Sequence, residues 1–475
     1  MNLFDFNTLT TLQIVLLSLT VVFSVIIILI PWQWGIAITP LFIFLQRFNI
    51  HLSIGRSFQI SFVVLPILYL KIILTEFIKS KNKKFFLKKI FQFKLAKWLL
   101  ALFFIDFIYT VLSIDFQSSI QILFIRSLCY STAFAMTFWY YKFHKDISFK
   151  VWIHIFSLFY LINAIISFHQ WYTCTFSTET AYLWKVIDRQ FNLEEGYVGA
   201  QSISVEGSSF CRPLGTFLDA NLNGMFFLST LPVFLMASKQ PQKISKNTKM
   251  MLMHRFIPII FLFIAIILFF INLSRSAFLG ATITFCLILP ALLKRYRKAF
   301  LSLFLFLLFL IGAIFLSSII FKKENTFYKA IKARIEATNE EDPHIKLLKE
   351  AFTLAKSSKY IGTGLGTYGI YYQRSGIGSE TNRDPHSTIG SLIVEQGIPG
   401  VLVHFSFITW FVYTTINALL KKSKTKLFLS VPFLSYIFSG IFYLGFYLPF
   451  SWYWCIFTSE LFEGLTRNHK DDKLH

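Results

Sequence analysis

"TLQIVLLSLTVVFSVIIILI" (Thr11 to Ile30) is an uncharged, predominantly apolar stretch of 20 residues. That is the length an α-helix needs to cross a bilayer core of roughly 30 Å. Similar runs recur along the chain. With 55% hydrophobic and 19% aromatic residues in 475 and a mean hydropathy of +0.59, the sequence reads as an all-α, polytopic integral membrane protein. The continuity of the runs excludes a transmembrane β-barrel, whose strands alternate apolar and polar residues over about ten positions. Hydropathy places spans near 11–30, 57–78, 97–113, 119–140, 150–171, 214–237, 256–272, 275–293, 299–321, 391–419, 427–448 and 451–466, about twelve in all.

The net charge of +22 acquires its meaning from where it lies. The connections 79–97, 141–150, 238–255, 294–298 and 421–426, with the tail after 466, hold 27 of the 46 Lys and Arg. The positive-inside rule makes that side the cytoplasm, so the charge is a topological signal and implies no nucleic-acid partner. The opposite side carries two long connections, 172–213 and 322–390, in which Lys and Arg are mixed with Asp and Glu. Both read as external loops that fold, the second around helical stretches such as "HIKLLKEAFTLAKSSK". "PWQWGIAITPLFIFL" (Pro31 to Leu45) reads as interfacial or re-entrant, because a full crossing there would move the N-terminus outside. The acidic "MNLFDF" start lacks a cleavable signal, so the first run is expected to stay as a helix. Cys174 and Cys211 bracket one external loop and either bond to each other or remain thiols.

Charge inside the spans is sparse. Asp106 and Arg126 each sit seven residues from the outer end of adjacent spans joined by a short turn, which puts them at equal depth and predicts a structural ion pair. Lys71 is expected to snorkel. Three external places concentrate polar chemistry. They are "CRPLGTFLDANLNG" with Arg212 and Asn221, "INLSRSAFLG" with Ser274 and Arg275, and the stretch from Gly362 to Gly400 with Tyr368, Arg374, Arg383 and His386. A lone Arg at a helix end is commonly a lipid anchor. A pair of guanidinium forks, with hydroxyls beside a helix N-terminus, suits a phosphate better. "GTGLGTYG" follows no βαβ strand, so a dinucleotide site is set aside; flexible backbone near a ligand and a bare loop both fit it. An exposed His386 is either an ordinary loop residue or a general base.

Taken in order and spacing, "RPLGTFLDANLNG", "NLSRSA", "GTGLGTYG" and "HSTIGSLIVEQGIPG" resemble the O-antigen ligase and polymerase family over roughly 210–400. The family pattern maps onto Arg212, Gly215, Phe217 and Asn221, then Ser274 and Arg275, then His386, Glu395, Gly397 and Gly400. Ser387 stands where the family usually has Asn, and Ala220 where Pro is common. The resemblance implies an N-terminal region of membrane helices at 1–210, a catalytic membrane region at 211–466 and a cytoplasmic tail at 467–475. It implies glycosyl transfer from an undecaprenyl-diphosphate-linked glycan to a lipid A-core or other hydroxyl acceptor, at the periplasmic face of a bacterial inner membrane.

On that reading Arg212 and Arg275 stabilise the diphosphate leaving group and His386 deprotonates the acceptor. Asn221, Ser274, Tyr368, Arg374 and Arg383 line the substrate site. Inversion at the sugar carbon follows, and neither cofactor nor metal is expected because the external loops carry no ligand cluster. Polymerisation of repeat units and transfer to protein hydroxyls share the same chemistry. A lipid-linked glycan flippase needs a polar path, for which the spans supply mainly Asp106 and Arg126.

Overall fold

The computed structural model describes residues 10–45, 49–52, 56–79, 94–143, 146–176, 200–205, 208–217, 219–237, 260–261, 263–272, 274, 276–283, 343–377, 385, 387–420 and 434–439. The expected spans at 299–321 and 451–466 lie outside these residues, as do Arg275, Arg383 and His386. The first helix, α1 (Thr11–Leu29), starts from a capping box between Thr10 and Gln13, and its chain turns extended at Ile30 ahead of Pro31. Two short helices follow, α2 (Trp32–Ala37) and α3 (Pro40–Ile43). The antiparallel hairpin β1 (Asn49–Leu52) and β2 (Arg56–Gln59) then leads directly into α4 (Ile60–Lys79).

Three long helices come next: α5 (Lys94–Val111), α6 (Phe116–Phe143) and α7 (Ile147–Phe176). A second antiparallel hairpin, β3 (Ala200–Val205) and β4 (Ser208–Pro213), precedes α8 (Ala220–Ala237). The described later elements include α9 (Pro343–Ser357), α10 (Tyr368–Arg374), α11 (Thr388–Glu395) and α12 (Gly397–Leu420). Among the described residues five helices are long and apolar enough to cross a membrane: Thr11–Leu29, Ile60–Ile78, Phe116–Tyr140, Ile147–Thr173 and Gly397–Thr415. Their outward faces carry exposed Leu, Ile, Val and Phe, as a hydrocarbon surround requires. The fold is helical as expected, with two short hairpins that the sequence reading did not include.

Pro31 to Leu45 follows a different path from the interfacial or re-entrant one expected. Trp32 stacks on Phe138 with ring centroids 6.0 Å apart, and its indole N–H donates to Glu76 at 3.1 Å. It therefore sits beside the C-terminal ends of α4 and α6. Phe44, twelve residues later, packs against Phe159 at 5.4 Å and Phe226 at 5.1 Å, well along α7 and α8. Lys71 donates to the carbonyls of Ile27, Ile28 and Ile30, so the end of α1 lies beside the second half of α4. α1 also touches β1, at the other end of α4. Hence α1 and α4 run in the same direction, and residues 31–45 return between them as a broken helix. The break falls between α2 and α3, ahead of Pro40. Irregular backbone at that depth is tolerable because the segment is largely buried in protein. Lys71 thus caps exposed carbonyls, a sharper role than snorkelling.

An aromatic core fills the space between α6 and α7. Trp139, Phe149, Trp152 and Phe156 form a chain with centroid separations of 5.4–5.9 Å. Trp139 and Trp152 have no exposed surface. Trp139→Ala is expected to fall at the lower end of the roughly 3–5 kcal/mol range for such truncations, since lipid tails are as apolar as the core and only packing is lost. The thermal midpoint of the detergent-purified protein should drop measurably, whereas Phe104→Ala, at an exposed position, should leave it unchanged.

Candidate functional site

Arg212 sits at the end of β4, opposite Gln201, and is 5% exposed. It does not stand at the mouth of a helix, as expected from the sequence, because α8 starts only at Ala220. Between the two the chain makes a tight turn in which Gly215 has φ +60°. A Cβ there would run into Asn163 Oδ1 and come within 2.7 Å of Asn223 Oδ1. Asp219 receives the Asn221 N–H at 2.5 Å and starts α8.

Two of the three polar segments meet at this turn. Arg212 Nε donates to the Asn272 carbonyl at 2.7 Å, and its Nη2 donates to Asn221 Oδ1 at 2.8 Å. Ser274 Oγ donates to the same Asn221 oxygen at 2.9 Å and accepts from the Ala277 N–H at 3.2 Å, capping the helical residues that begin at 276. Gly224 leaves α8 close to Asn272 and Ser274. Residues 212, 221 and 274 are therefore one hydrogen-bonded cluster drawn from segments about 50 residues apart in sequence.

Beneath the cluster lies a buried amide network that the sequence reading missed. Asn163 Oδ1 accepts from the Thr216 N–H at 2.8 Å and from its hydroxyl at 3.0 Å. Asn163 Nδ2 donates to Asn223 Oδ1 at 3.0 Å. Asn223 Nδ2 in turn donates to Ser167 Oγ and to the Pro213 carbonyl. Gln170 closes a two-way pair with Gly215, accepting its N–H at 2.7 Å and donating to its carbonyl at 3.3 Å. The signal was present in the spacing: 163, 167 and 170 form a polar stripe on one face of an otherwise apolar helix. Cys211, next to Arg212, is buried and disulfide-bonded. The Cys174 side chain falls outside the described residues.

The third polar segment is built differently. In "GTGLGTYG" the chain takes φ +112° at Gly364, where a Cβ would collide with Ser113. The Thr363 carbonyl accepts from the Ile114 N–H at 3.0 Å, and the Gly364 N–H donates to the Glu395 carbonyl at 2.9 Å. Ser119 Oγ donates to the Leu365 carbonyl at 2.6 Å. The loop is wedged between the α5–α6 turn and the end of α11. Its glycines serve close backbone packing, and the loop is neither bare nor ligand-cradling at these positions. Tyr368 packs with Tyr372, Leu354 and Val394 in a small hydrophobic cluster. Arg374 is exposed at the end of α10. It adds a weak attraction to Asp115, whose carboxyl is held below its usual range mainly by a hydrogen bond from Ser118.

Asp106 and Arg126 meet at 2.8 Å, with side chains 0% and 2% exposed. Arg126 also reaches Glu395 Oε2 at 3.3 Å. Tyr130 donates to Asp106 Oδ2 at 2.5 Å, and the Gln396 amide donates to Asp106 Oδ1. A cavity of about 670 Å³ lies nearby, lined by Tyr130, Ser127 and apolar residues of α4, α5 and α6. It shares no lining residue with the Arg212 cluster. Its walls suit hydrocarbon, whereas the polar chemistry lies around Arg212.

The helices and this polar architecture define a multi-pass helical membrane protein with buried, interlocked polar clusters. Residues 260–405 match the family model described as O-antigen ligase. Members of that family are membrane glycosyltransferase-like enzymes. The comparison with curated proteins gives no match. Ser274, Tyr368, Arg374, Glu395 and Gln396 fall inside the matched region, while Arg212, Asn221, Asp106 and Arg126 fall outside it.

Asn163→Leu removes the partner of the Thr216 N–H and hydroxyl and the donor to Asn223 Oδ1, at about 1–3 kcal/mol for each group left unsatisfied. The expected result is a protein with a clearly lowered thermal midpoint. Gly215→Ala should be at least as damaging, because the left-handed turn and the clash with Asn163 act together. An unchanged melting curve for either variant would contradict this account of the turn.

Proposed function

We propose that the protein transfers a glycan from undecaprenyl diphosphate to a lipid A-core hydroxyl at the periplasmic face of a bacterial inner membrane. The observation that carries this reading is the convergence of Arg212, Asn221 and Ser274 immediately before Arg275. A buried guanidinium, held by a carbonyl and an amide oxygen, is fixed in direction before any ligand arrives. Such preorganisation is what a leaving diphosphate requires as negative charge develops on it. Arg275 is the second guanidinium in this proposal, and His386 is the base that deprotonates the acceptor for attack on the opposite face, with inversion. Tyr368, Arg374 and Arg383 belong to the acceptor side of the site in the folded loop 322–390. Because Tyr368 is buried in packing, its part is to hold that side in shape.

Topology supports this placement. The charge-rich connections face the cytoplasm, and about twelve spans follow from hydropathy. The broken segment 31–45 adds a crossing and brings the N-terminal end of α1 to the same side as Arg212. The first ten residues, "MNLFDFNTLT", contain no Lys or Arg, which agrees with an external location. The catalytic region runs from 211 to 466, with 1–210 as its helical support and 467–475 as a cytoplasmic tail. The apolar cavity beside Tyr130 suits a lipid chain.

Purified protein in detergent, supplied with a lipid-linked glycan and a core acceptor, should yield the transferred product with no membrane gradient. Arg212→Ala and Arg275→Ala should abolish product at normal expression, and His386→Ala should remove most of it. Arg212→Lys should not rescue, since an ammonium lacks the planar fork that reaches Asn272 and Asn221 together. In cells, loss of the gene should leave free core and accumulated lipid-linked glycan. Short single-unit chains would mean polymerisation instead, and unglycosylated secreted protein would mean protein glycosylation.

A further inference from the structure

We propose that Asp106 and Arg126 are positioning residues: through Glu395 and Gln396 they set the orientation of α11, the helix that follows His386 in the chain. This rests on the functional reading above, and extends it to residues outside the family-matched region.

The argument starts from cost. Burying ionised side chains in a span is unfavourable, and replacing a complete buried ionic network with apolar residues is often neutral or stabilising. Stability alone is therefore a weak reason for this network. Its geometry offers a better one. The Arg126 fork reaches two carboxylates from different elements, Asp106 of α5 at 2.8 Å and Glu395 of α11 at 3.3 Å. Gln396, at the joint between α11 and α12, donates to the same Asp106 carboxylate. Each bond is directional, so the α5–α6 hairpin fixes both the rotation and the height of the α11 C-terminus.

The glycine-rich loop reinforces the joint. Thr363 and Gly364 donate to the Val394 and Glu395 carbonyls at 2.9–3.1 Å, while Ser119 of α6 holds the Leu365 carbonyl. α11 has only eight residues, so it acts as a rigid rod roughly 12 Å long. Its other end is capped by Ser387, whose hydroxyl accepts the Gly390 N–H at 2.8 Å. Position 386 directly precedes that cap. A small tilt at Glu395 is carried along the rod to the Ser387 cap, the residue after 386 in the chain, and a displacement of about 1 Å at a reacting group can slow chemistry on the order of 100-fold.

The experiment compares the full-length wild type with two variants in nanodiscs. Arg126→Lys keeps the charge but cannot fork to both carboxylates. The triple variant Asp106→Leu, Arg126→Met, Glu395→Leu removes the network as a whole and leaves no buried charge unpaired. For each, kcat and KM for the lipid-linked donor, the thermal midpoint, and hydrogen exchange at the Thr363 and Gly364 amides are measured. The expected result is a kcat lower by roughly 10- to 100-fold in any variant that melts near the wild type, with donor KM within about twofold and faster exchange at both amides.

A variant that folds with unchanged kcat and unchanged exchange overturns the proposal. So does a loss expressed only in the thermal midpoint, which would mark the network as structural. Should the triple variant fail to fold, Arg126→Lys decides by the same readings. Should the wild type itself transfer nothing, the functional reading falls. Exchange at 363 and 364 then judges the joint alone, with unchanged exchange in Arg126→Lys counting against it.

Discussion

The structure depends on the placement of charge and backbone polarity where water is scarce. The Arg126 guanidinium is the central case, buried between Asp106 and Glu395. In hydrocarbon an uncompensated charge or a bare amide costs several kcal/mol, so each such group dictates which elements must touch. Arg126 ties α6 to α5 and to the α11–α12 joint. That joint brings the glycine-rich loop against the α5–α6 turn. The order of dependence runs from one guanidinium outward through three elements.

The Arg212 turn obeys the same rule with neutral groups. β4 ends, the chain reverses at Gly215, and α8 begins five residues later. The exposed N–H and C=O groups of that reversal are taken up by Asn163, Gln170 and Asn223, all buried. Two asparagines and one glutamine replace the water that such a turn would use at a surface. They also fix where Arg212 points. The broken segment 31–45 is a third instance: its irregular backbone survives because α4, α6 and α7 surround it. In each case departure from regular helix occurs only inside protein, which is the condition a membrane imposes.

How much of this was legible in the sequence follows from how local each feature is. The Asp106–Arg126 pair could be read because a five-residue turn places both at the same depth, a purely local inference. Glu395 could not, being 269 residues from Arg126 and recognisable beforehand only as a motif position. Most helix positions agree with hydropathy, since apolar runs of 18 or more residues have few alternatives. The β3–β4 hairpin leaves little trace in the sequence because its strands are short and mixed, and hydropathy runs past the true start of α8 because Leu214 and Phe217 extend the apolar run across the turn. Residues 31–45 read as interfacial or re-entrant because two short helices around a proline do not resemble one span, although both are buried. Arg212, Asn221 and Ser274 were legible as chemistry, while their mutual contact needed coordinates. The glycine-rich loop shows the limit in the other direction: its composition leaves open both backbone beside a ligand and a bare loop, and its geometry serves packing.

The location of the ionic network also bears on how such a chain can enter a membrane. Asp106 and Arg126 belong to one helical hairpin with a short turn, so they can neutralise each other as soon as that hairpin inserts, without waiting for distant sequence. Glu395 arrives much later, at the end of an eight-residue helix beside a candidate span and not in the middle of one. It can reach an already paired guanidinium from the more polar side. Had the acid of the first pair lain in α11, Arg126 would have crossed the bilayer uncompensated. The contacts of residues 106 and 126, which precede the family-matched region, therefore hold a joint that lies within it.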